Sequence, residues 1–327
     1  MHMKRRSKAV RLAVVLSVGL VLVLGGCAGE KTGKPDFIQS ETNQQITLAD
    51  PLGNVTVVNK RPQRVIVLMN SILDLWYLAG GTAVARVTGE ENVPAEAKDI
   101  EQVGGFGTPN AERIVALKPD LVILTSTTAA HRALEEVLKQ NGITCLYVNY
   151  QTYDDFISYL DLFTRITGRE DIFNTKIRSI KEEVTAIANK VSAQPKPRVL
   201  ILFATTKAVQ SELPNSLVGD MTKRLGAVNI AGDAPVEGAA RVDFSMERII
   251  ERDPDYILIT TMGDEATVRA KIKQDLESSP AWAELRAVKE GNVRYLDKEL
   301  FIYKPNARYA EAMGALAKIL YPGARLK

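Results

Sequence analysis

The chain has 327 residues, of which 42 are basic and 39 acidic, and it contains two cysteines, Cys27 and Cys145. Five basic residues and no acidic residue precede Cys27, which leaves 37 basic and 39 acidic residues after it and a net charge of about −2. This balance excludes a nucleic-acid-binding protein that works through a strongly basic surface. The part after Cys27 is long enough for two domains of typical size, and it has no pair of cysteines for a disulfide.

The first 27 residues have the pattern of a bacterial export signal. Basic residues at positions 4–11 precede an apolar run over residues 12–24, which is shorter than the ~20 residues of a membrane-spanning helix. The tetrad Leu24-Gly25-Gly26-Cys27 resembles the lipobox of bacterial lipoproteins, in which the cysteine becomes lipidated. We therefore expect residues 1–27 to be a lipoprotein signal and Cys27 to hold the protein at the extracytoplasmic face of the cell membrane. The alternative is an uncleaved anchor with an incidental cysteine.

Short β-branched runs alternate with longer helical patterns after a polar segment, residues 28–45, that we predict to be a flexible tether. The predicted strands are residues 46–48, 55–58, 64–68, 83–88, 121–125, 144–148, 198–203, 256–260 and 293–296. The predicted helices are residues 71–79, 111–117, 130–141, 217–225, 246–252 and 306–320. Strands separated by helices of this length indicate an α/β fold with parallel-type sheets covered on both faces.

An internal repeat predicts two similar lobes. The sequence NAERIVALKPDLVIL at 110–124 matches SMERIIERDPDYILI at 245–259, including a glutamate, a proline and an aspartate in each copy. Between the copies, apolar residues recur at spacings of three and four over residues 173–191, which predicts one long amphipathic helix. The resulting division is an N-terminal lobe at 46–168, a connecting helix at 169–192 and a C-terminal lobe at 193–327.

These features resemble those of the helical-backbone substrate-binding proteins of ABC importers, which capture iron chelates, haem and cobalamin. The resemblance rests on the lipobox, on Arg61-Pro62-Gln63-Arg64 before a strand, on the paired repeat, on residues 215–219 with Ile230, and on the tail at 282–322. It implies two lobes joined by a rigid helix, with the ligand in the cleft between them. It also implies a monomer without an intrinsic cofactor that meets a permease dimer with its cytoplasmic ATPase.

The resemblance assigns roles to particular residues. Glu112 and Glu247 match the glutamates that dock onto arginines of the permease, although an acidic residue in a first helical turn is also explained by the helix dipole. Phe106 and Arg241, each six residues earlier, match cleft-facing ligand contacts, and Arg241 would offer a cation to an anionic ligand group. A solvated loop arginine is the alternative for Arg241. Further ligand candidates lie at strand ends or in the tail: Met69, Lys207, Met262, Tyr303 and Lys304.

The identity of the ligand is left open between an anionic ferric siderophore, haem and cobalamin. Met262 lies close to the position of an axial haem ligand in Gram-positive haem receptors, but Gly107 stands near the position of the second ligand, and Met262 could equally pack at a strand end. His131 is the only histidine after Cys27 and is either a ligand contact or a solvated helix residue. The low aromatic content of 6% favours a siderophore.

Other classes of protein fit the sequence less well. There is no G-x-S-x-G elbow, no paired-histidine metal motif and no phosphate-cradling glycine loop, and the glycine-rich stretch at 103–107 is predicted to be a cleft loop. A single histidine after Cys27 argues against a receptor for bare Zn²⁺ or Mn²⁺. We therefore expect no enzyme, and the remaining alternative is a lipoprotein that senses or scaffolds without transport.

Overall fold

The structure is a computed structural model and describes residues 35–234, 239–243 and 245–325. The predicted signal with Cys27 lies outside these residues. Within them, no helix combines the length and the apolar character needed to cross a bilayer.

The bounds of the elements follow the chain from Ile38 to Leu320. The strands are β1 Ile38–Glu41, β2 Gln45–Ala49, β3 Val55–Asn59, β4 Val65–Val67, β5 Ala85–Arg86, β6 Glu101–Gln102, β7 Gly104–Gly105, β8 Thr108–Pro109, β9 Leu121–Thr125, β10 Thr144–Val148, β11 Arg198–Thr205, β12 Val209–Glu212, β13 Val228–Asn229, β14 Arg241–Asp243, β15 Tyr256–Met262 and β16 Val293–Tyr295. The helices are α1 Asn70–Leu78, α2 Ala111–Ala116, α3 Ala129–Arg132, α4 Glu135–Gln140, α5 Tyr153–Thr167, α6 Glu170–Val191, α7 Leu217–Arg224, α8 Met246–Arg252, α9 Glu265–Ile272, α10 Pro280–Glu284, α11 Arg286–Lys289, α12 Lys298–Phe301 and α13 Tyr309–Leu320, with short 3₁₀ or π turns at Ala95–Ala97, Lys273–Glu277 and Asn306–Arg308.

Two mainly parallel sheets form the centres of two lobes. The N-terminal sheet has the order β10-β9-β4-β5-β6 with all neighbours parallel. The C-terminal sheet has the order β14-β12-β11-β15-β16, with β11, β15 and β16 parallel and β12 and β14 antiparallel, and β13 lies beside β11. Strands β1, β2 and β3 form a separate antiparallel sheet. The predicted α/β fold with two lobes is confirmed.

The internal repeat has a structural cause that is the same in both lobes. The carboxylate of Asp120 accepts hydrogen bonds from the backbone N–H groups of Gln63 and Arg64, at 2.6 and 3.0 Å, where β4 begins. The carboxylate of Asp255 accepts from the N–H of Arg198 at 2.7 Å, where β11 begins. Each aspartate therefore fixes the register of two parallel strands, which explains why both copies of the repeat have a Pro-Asp pair directly before their strand.

One apolar cluster includes the inner faces of both sheets. In β11, Val199 and Ile201 belong to this shared cluster, whereas Leu200 and Leu202 belong to a second cluster on the outer face of the same sheet. A third cluster covers the outer face of the N-terminal sheet. Helices α1, α5, α6, α7 and α13 contribute to the shared cluster, so the two lobes are joined by a continuous core.

Helix α6 is the predicted connecting helix. Its buried residues, Ile177, Ile180, Val184 and Val191, are on the apolar stripe that the sequence pattern indicates. The helix packs against α5 and α13. Helix α5 was not among the predicted helices, although it begins with a complete capping box, formed by Thr152 and Asp155, and ends at a left-handed glycine.

The structure also differs from the sequence-based expectation at the N-terminal edge of the fold and at residues 130–141. Residues 38–45 were predicted as part of the tether, but Ile38 is buried, β1 pairs with β2, and the ring of Phe37 stacks on Tyr159 with centroids 5.6 Å apart. Phe37 and Ile38, the two large apolar residues of the predicted tether, attach it to the shared cluster. The single helix predicted at 130–141 is interrupted, because the N–H of Leu134 bonds to the carbonyl of His131 in a tight turn.

Because both sheets share one core, we expect a single unfolding transition in urea, and Ile177→Ala should lower the free energy of unfolding by about 2–5 kcal/mol through the cavity it leaves. Arg178→Ala, which removes an exposed neighbour on the same helix, is the control and should change the free energy by no more than about 0.5 kcal/mol. Fluorescence and circular dichroism transitions that do not coincide would contradict the shared core.

Candidate functional site

The inner faces of the two sheets continue beyond the apolar core at the carboxyl ends of their strands. Side chains of a strand alternate between faces, so Met69 and Tyr150 follow the inner-face residues of β4 and β10. By the same alternation, Phe203, Thr260 and Met262 lie on the inner face of the C-terminal sheet. Ligands of parallel sheets bind beyond the carboxyl ends of strands. The candidate site therefore lies between the two lobes, directly above the shared core.

Arg241 is held on the wall of this cleft by an aromatic ring and a buried carboxylate. Its Cζ lies 3.7 Å from the ring centroid of Phe203, and its Nη2 lies 3.6 Å from Oε1 of Glu212. Glu212 is only 2% exposed, and the hydroxyl of Thr260 donates to the same oxygen at 3.1 Å. The Nε of Arg241 is buried and has no hydrogen-bond partner among the described residues. Arg241 is thus an oriented guanidinium group whose buried Nε is unpaired among the described residues, rather than a solvated loop arginine.

Lys304 is a buried cation beside Arg241. It is 7% exposed, and its Nζ lies 3.4 Å from Oε1 of Gln151 and 5.1 Å from the ring centroid of Tyr150. Burial, together with the positive charge of Arg241, lowers the pKa of Lys304 to about 8 against the opposing effects of Glu212 and Asp155. In the part of the chain that the structure describes, no carboxylate forms an ion pair with Lys304.

Phe106 is presented by a short β-hairpin. The glycine-rich stretch predicted as a cleft loop forms β7 and the turn that leads to β8, with Phe106 at the turn and 42% exposed. Gly104 has a φ of +104°, and a side chain there would meet the carbonyl oxygen of Thr108 at 2.6 Å, so the hairpin requires glycine at this position.

The side chain of His131 links this hairpin to strand β9. The N–H of Thr125 donates to Nδ1 at 3.1 Å, so Nε2 carries the proton and donates to the carbonyl of Phe106 at 2.9 Å. The imidazole is fully buried, and its ring packs edge-on against the ring of Phe106 at 5.1 Å. Burial lowers the pKa of His131. The expectation of a solvated helix residue is wrong, and no ring nitrogen is free for a ligand.

The remaining candidates are spread along the rim and floor of the cleft. Met262 ends β15 and is 47% exposed, and Lys207 is exposed in the turn between β11 and β12. Met69 and Tyr303 are partly buried. Within the described ranges, no cluster of histidine, cysteine or acidic side chains could hold a metal ion. The contacts that the sequence did not indicate are Phe203, Glu212, Tyr150 and Gln151.

Glu112 and Glu247 occupy equivalent, exposed positions in the first turns of α2 and α8. The helices are capped by Asn110 and Ser245, whose side chains accept from backbone N–H groups three residues later, at 2.9 and 3.5 Å. Neither glutamate forms an ion pair in the described segments. The two carboxylates are therefore exposed on both lobes and available to a partner.

Comparisons with known proteins agree with this geometry. A sequence profile described as periplasmic binding protein matches residues 65–300. The chain is 27% identical to the uncharacterized ABC transporter substrate-binding lipoprotein YvrC of Bacillus subtilis, covering 98% of both chains, and 26% identical to the Fe(3+)-citrate-binding protein YfmC of the same organism, covering 90% and 92%. The crystal structure of S. aureus IsdE complexed with haem has a TM-score of 0.71 at 20% identity, covering 79% of this chain and 98% of that one.

The fold and the cleft define a two-lobed substrate-binding protein. The chain belongs to the periplasmic binding protein family, and relatives in it are named as substrate-binding lipoproteins of ABC transporters. The predicted family resemblance is therefore confirmed.

His131→Leu should lower the free energy of unfolding by about 1–3 kcal/mol near pH 7.5, because it leaves the N–H of Thr125 and the carbonyl of Phe106 without partners. The pKa of the folded-state imidazole lies below its ordinary value of 6.5, so the contribution of His131 to stability is present above pH 6.5 and decreases as the pH falls below it. Urea denaturation of both proteins near pH 7.5 and pH 5.5 measures this difference. A difference that grows at the lower pH would contradict the assigned neutral imidazole.

Proposed function

We propose that the protein is the lipid-anchored substrate-binding component of an ABC importer, and that it captures a ferric siderophore or a similar iron chelate between its lobes. The observation that carries the proposal is the pair of cationic groups, Arg241 and Lys304, close together at the carboxyl ends of the sheets. Siderophores and citrate present carboxylate or catecholate oxygens around the metal, and a guanidinium fork matches such groups. Similarity to a protein named for Fe(3+)-citrate binding supports the same ligand class.

The proposed location of the protein is the extracytoplasmic face of the cell membrane, in the periplasm or outside the cell. In this account Cys27 is lipidated and holds the protein at the extracytoplasmic face of the membrane, where it acts as a monomer and not as an enzyme. Relatives that are named lipoproteins and match the chain over almost its whole length support the anchor. The iron complex is cargo, and no intrinsic cofactor is required.

A haem or cobalamin receptor is the second candidate. Met262 is exposed at the end of an inner-face strand, where its sulfur could ligate haem iron, and the fold resembles that of a haem-bound protein. A lipoprotein that senses or scaffolds without transport is the further alternative.

The ligand classes are separated by absorption and fluorescence titrations of the purified protein with haemin, cobalamin and ferric siderophores. We expect a ferric siderophore to bind, Arg241→Ala to weaken that binding by about 10- to 100-fold, and Met262→Ala to leave it unchanged. A Soret shift with haemin that Met262→Ala removes would establish haem instead. If none of these ligands binds, the result would favour a lipoprotein that senses or scaffolds without transport.

Delivery is proposed to use Glu112 and Glu247, one on each lobe, as docking groups for arginines of the permease. Their exposure, their equivalent positions and the absence of internal ion partners among the described residues support this role. Charges at the rim of an interface chiefly set the encounter rate and the register of the complex.

The double variant Glu112→Ala/Glu247→Ala should abolish iron uptake in cells while the affinity of the purified protein for the chelate stays the same. Glu136→Ala/Glu251→Ala removes two other exposed glutamates, one on each lobe, and should leave uptake unchanged. Uptake by the docking variant at the rate of the unmodified protein would rule out these glutamates as docking groups.

A further inference from the structure

The turn that carries Phe106 lies across the carboxyl ends of two strands of the N-terminal sheet. The N–H of Thr88, two residues after β5, donates to the carbonyl of Gly104 at 2.9 Å. On the other side, His131 connects the carbonyl of Phe106 to the N–H of Thr125, the last residue of β9. Ligands of parallel sheets bind at this edge. The hairpin therefore presents the ring of Phe106 where a ligand in the cleft can contact it.

The contacts within the hairpin hold this turn only weakly. Its ladder consists of two residue pairs, and one of them includes Pro109, which has no N–H to donate. Phe106 stands between two glycines, and a side chain at Gly107 would meet nothing within 4 Å apart from its chain neighbours. The conformation of the turn therefore depends on groups outside the hairpin.

The imidazole of His131 is such a group, and the helix that carries it is itself fixed. Helix α3 packs against β8 and β9. The hydroxyl of Tyr147 on β10 donates to the backbone carbonyl of His131 at 3.3 Å. The guanidinium group of Arg132 donates to the carbonyl of Ser126 at 2.6 Å. The side chain of His131 thus joins the weakly held turn to two strands of the N-terminal sheet.

Only the neutral imidazole fits both hydrogen bonds. Nδ1 accepts from the N–H of Thr125, whereas a protonated imidazole would turn a second N–H toward that donor. In the described residues no carboxylate forms an ion pair with His131, and neither β9 nor the hairpin contains an ionisable side chain. The ionisable side chains on α3, α4 and β10 belong to Arg132, Glu135, Glu136, Lys139, Cys145 and Tyr147. Burial lowers the pKa of His131 against the opposing effect of the hydrogen bond to Phe106.

We propose that His131 is a positioning residue for ligand binding, because its neutral imidazole holds the turn with Phe106 in the conformation that binds the ligand. Protonation of His131 removes the acceptor for the N–H of Thr125, so the ring cannot keep both hydrogen bonds. The turn is then released, and ligand binding weakens in acid. This inference rests on the proposed function, since it requires a ligand that contacts Phe106 in the cleft.

The first test compares the unmodified protein with His131→Gln, whose amide accepts and donates hydrogen bonds but does not titrate. Kd values for ferric enterobactin, ferrioxamine B and haemin are measured from pH 7.5 to pH 4.5, with circular dichroism to show that both proteins stay folded. The ratio of the two Kd values cancels protonation of the ligand and of other groups in the cleft.

The pKa of His131 in the folded protein lies below its ordinary value of 6.5, so its contribution to affinity is complete above pH 6.5 and is lost as the pH falls through the folded-state pKa. We expect the Kd of the unmodified protein to rise relative to that of His131→Gln by about 3- to 10-fold between pH 7.5 and pH 4.5.

Two further variants attribute this effect to the turn. Phe106→Ala retains the backbone carbonyl that His131 binds but lacks the ring. In that background His131→Gln should change the pH dependence by less than about twofold, because the turn no longer contributes a ligand contact. His131→Leu lacks both hydrogen bonds and should bind the ligand about 3- to 10-fold more weakly than His131→Gln at pH 7.5.

Nuclear magnetic resonance of isotope-labelled imidazoles separates positioning from a purely structural role. The chain has two histidines, so the variant His2→Gln leaves only the signals of His131. Gallium(III) complexes of enterobactin, desferrioxamine B and protoporphyrin replace the iron complexes, because gallium(III) is diamagnetic. Saturation with ligand should lower the pKa of His131 further, since the proton and the ligand oppose each other reciprocally. A histidine that only stabilises the fold would titrate identically with and without ligand.

The outcomes distinguish this inference from the proposed function. If the unmodified protein binds none of the three ligands, the proposed function fails and this inference fails with it. If a ligand binds but the Kd of His131→Gln rises equally in acid, or the pKa of His131 does not change on binding, this inference alone is overturned. If His131→Gln does not fold, the titration of His131 with and without ligand is the deciding measurement.

Discussion

The two sheets share a single apolar core, and this core limits how far the two lobes can move apart. Inner-face residues of β4, β9 and β10 on one side and of β11 and β15 on the other belong to one buried cluster, together with α6. Two lobes that share a core cannot separate far without exposing it to water, which is unfavourable in proportion to the apolar area. The cleft therefore lies where this core ends, and we expect ligand capture to need no large domain motion.

The same constraint explains why polar groups are concentrated in the cleft. Where the inner faces continue beyond the core, Arg241 stacks on Phe203, Glu212 is buried beneath it, and Lys304 lies against Tyr150. Arg241 is held by the C-terminal lobe and Lys304 contacts the N-terminal lobe, and the buried Nε of Arg241 has no partner among the described residues. Preorganised groups of this kind reduce stability and favour binding, because a ligand then does not have to order them.

The sequence predicted the parts of the fold that depend on local patterns. The stripe of α6, the strands β9 and β10 and the repeated Glu-Pro-Asp segments follow from periodicity and capping, and the structure has them at or near the predicted bounds. The partners of Arg241 and Lys304 could not be predicted in this way. Gln151 lies 153 positions from Lys304 in the chain, and Ser71 lies 232 positions from Tyr303, so these contacts exist only once the lobes have packed. Ile38 was missed because two apolar residues in a polar segment give no period.

A crystal structure of the protein with the ferric chelate that binds most tightly, with the iron atom found by anomalous scattering, would locate the ligand directly. We expect iron between the two lobes at the carboxyl ends of β11 and β15, with oxygens of the chelate on Arg241 and Lys304, and unchanged packing of α6 on the shared core. Iron bound outside the cleft, or a shared core that opens to admit the chelate, would contradict this expectation.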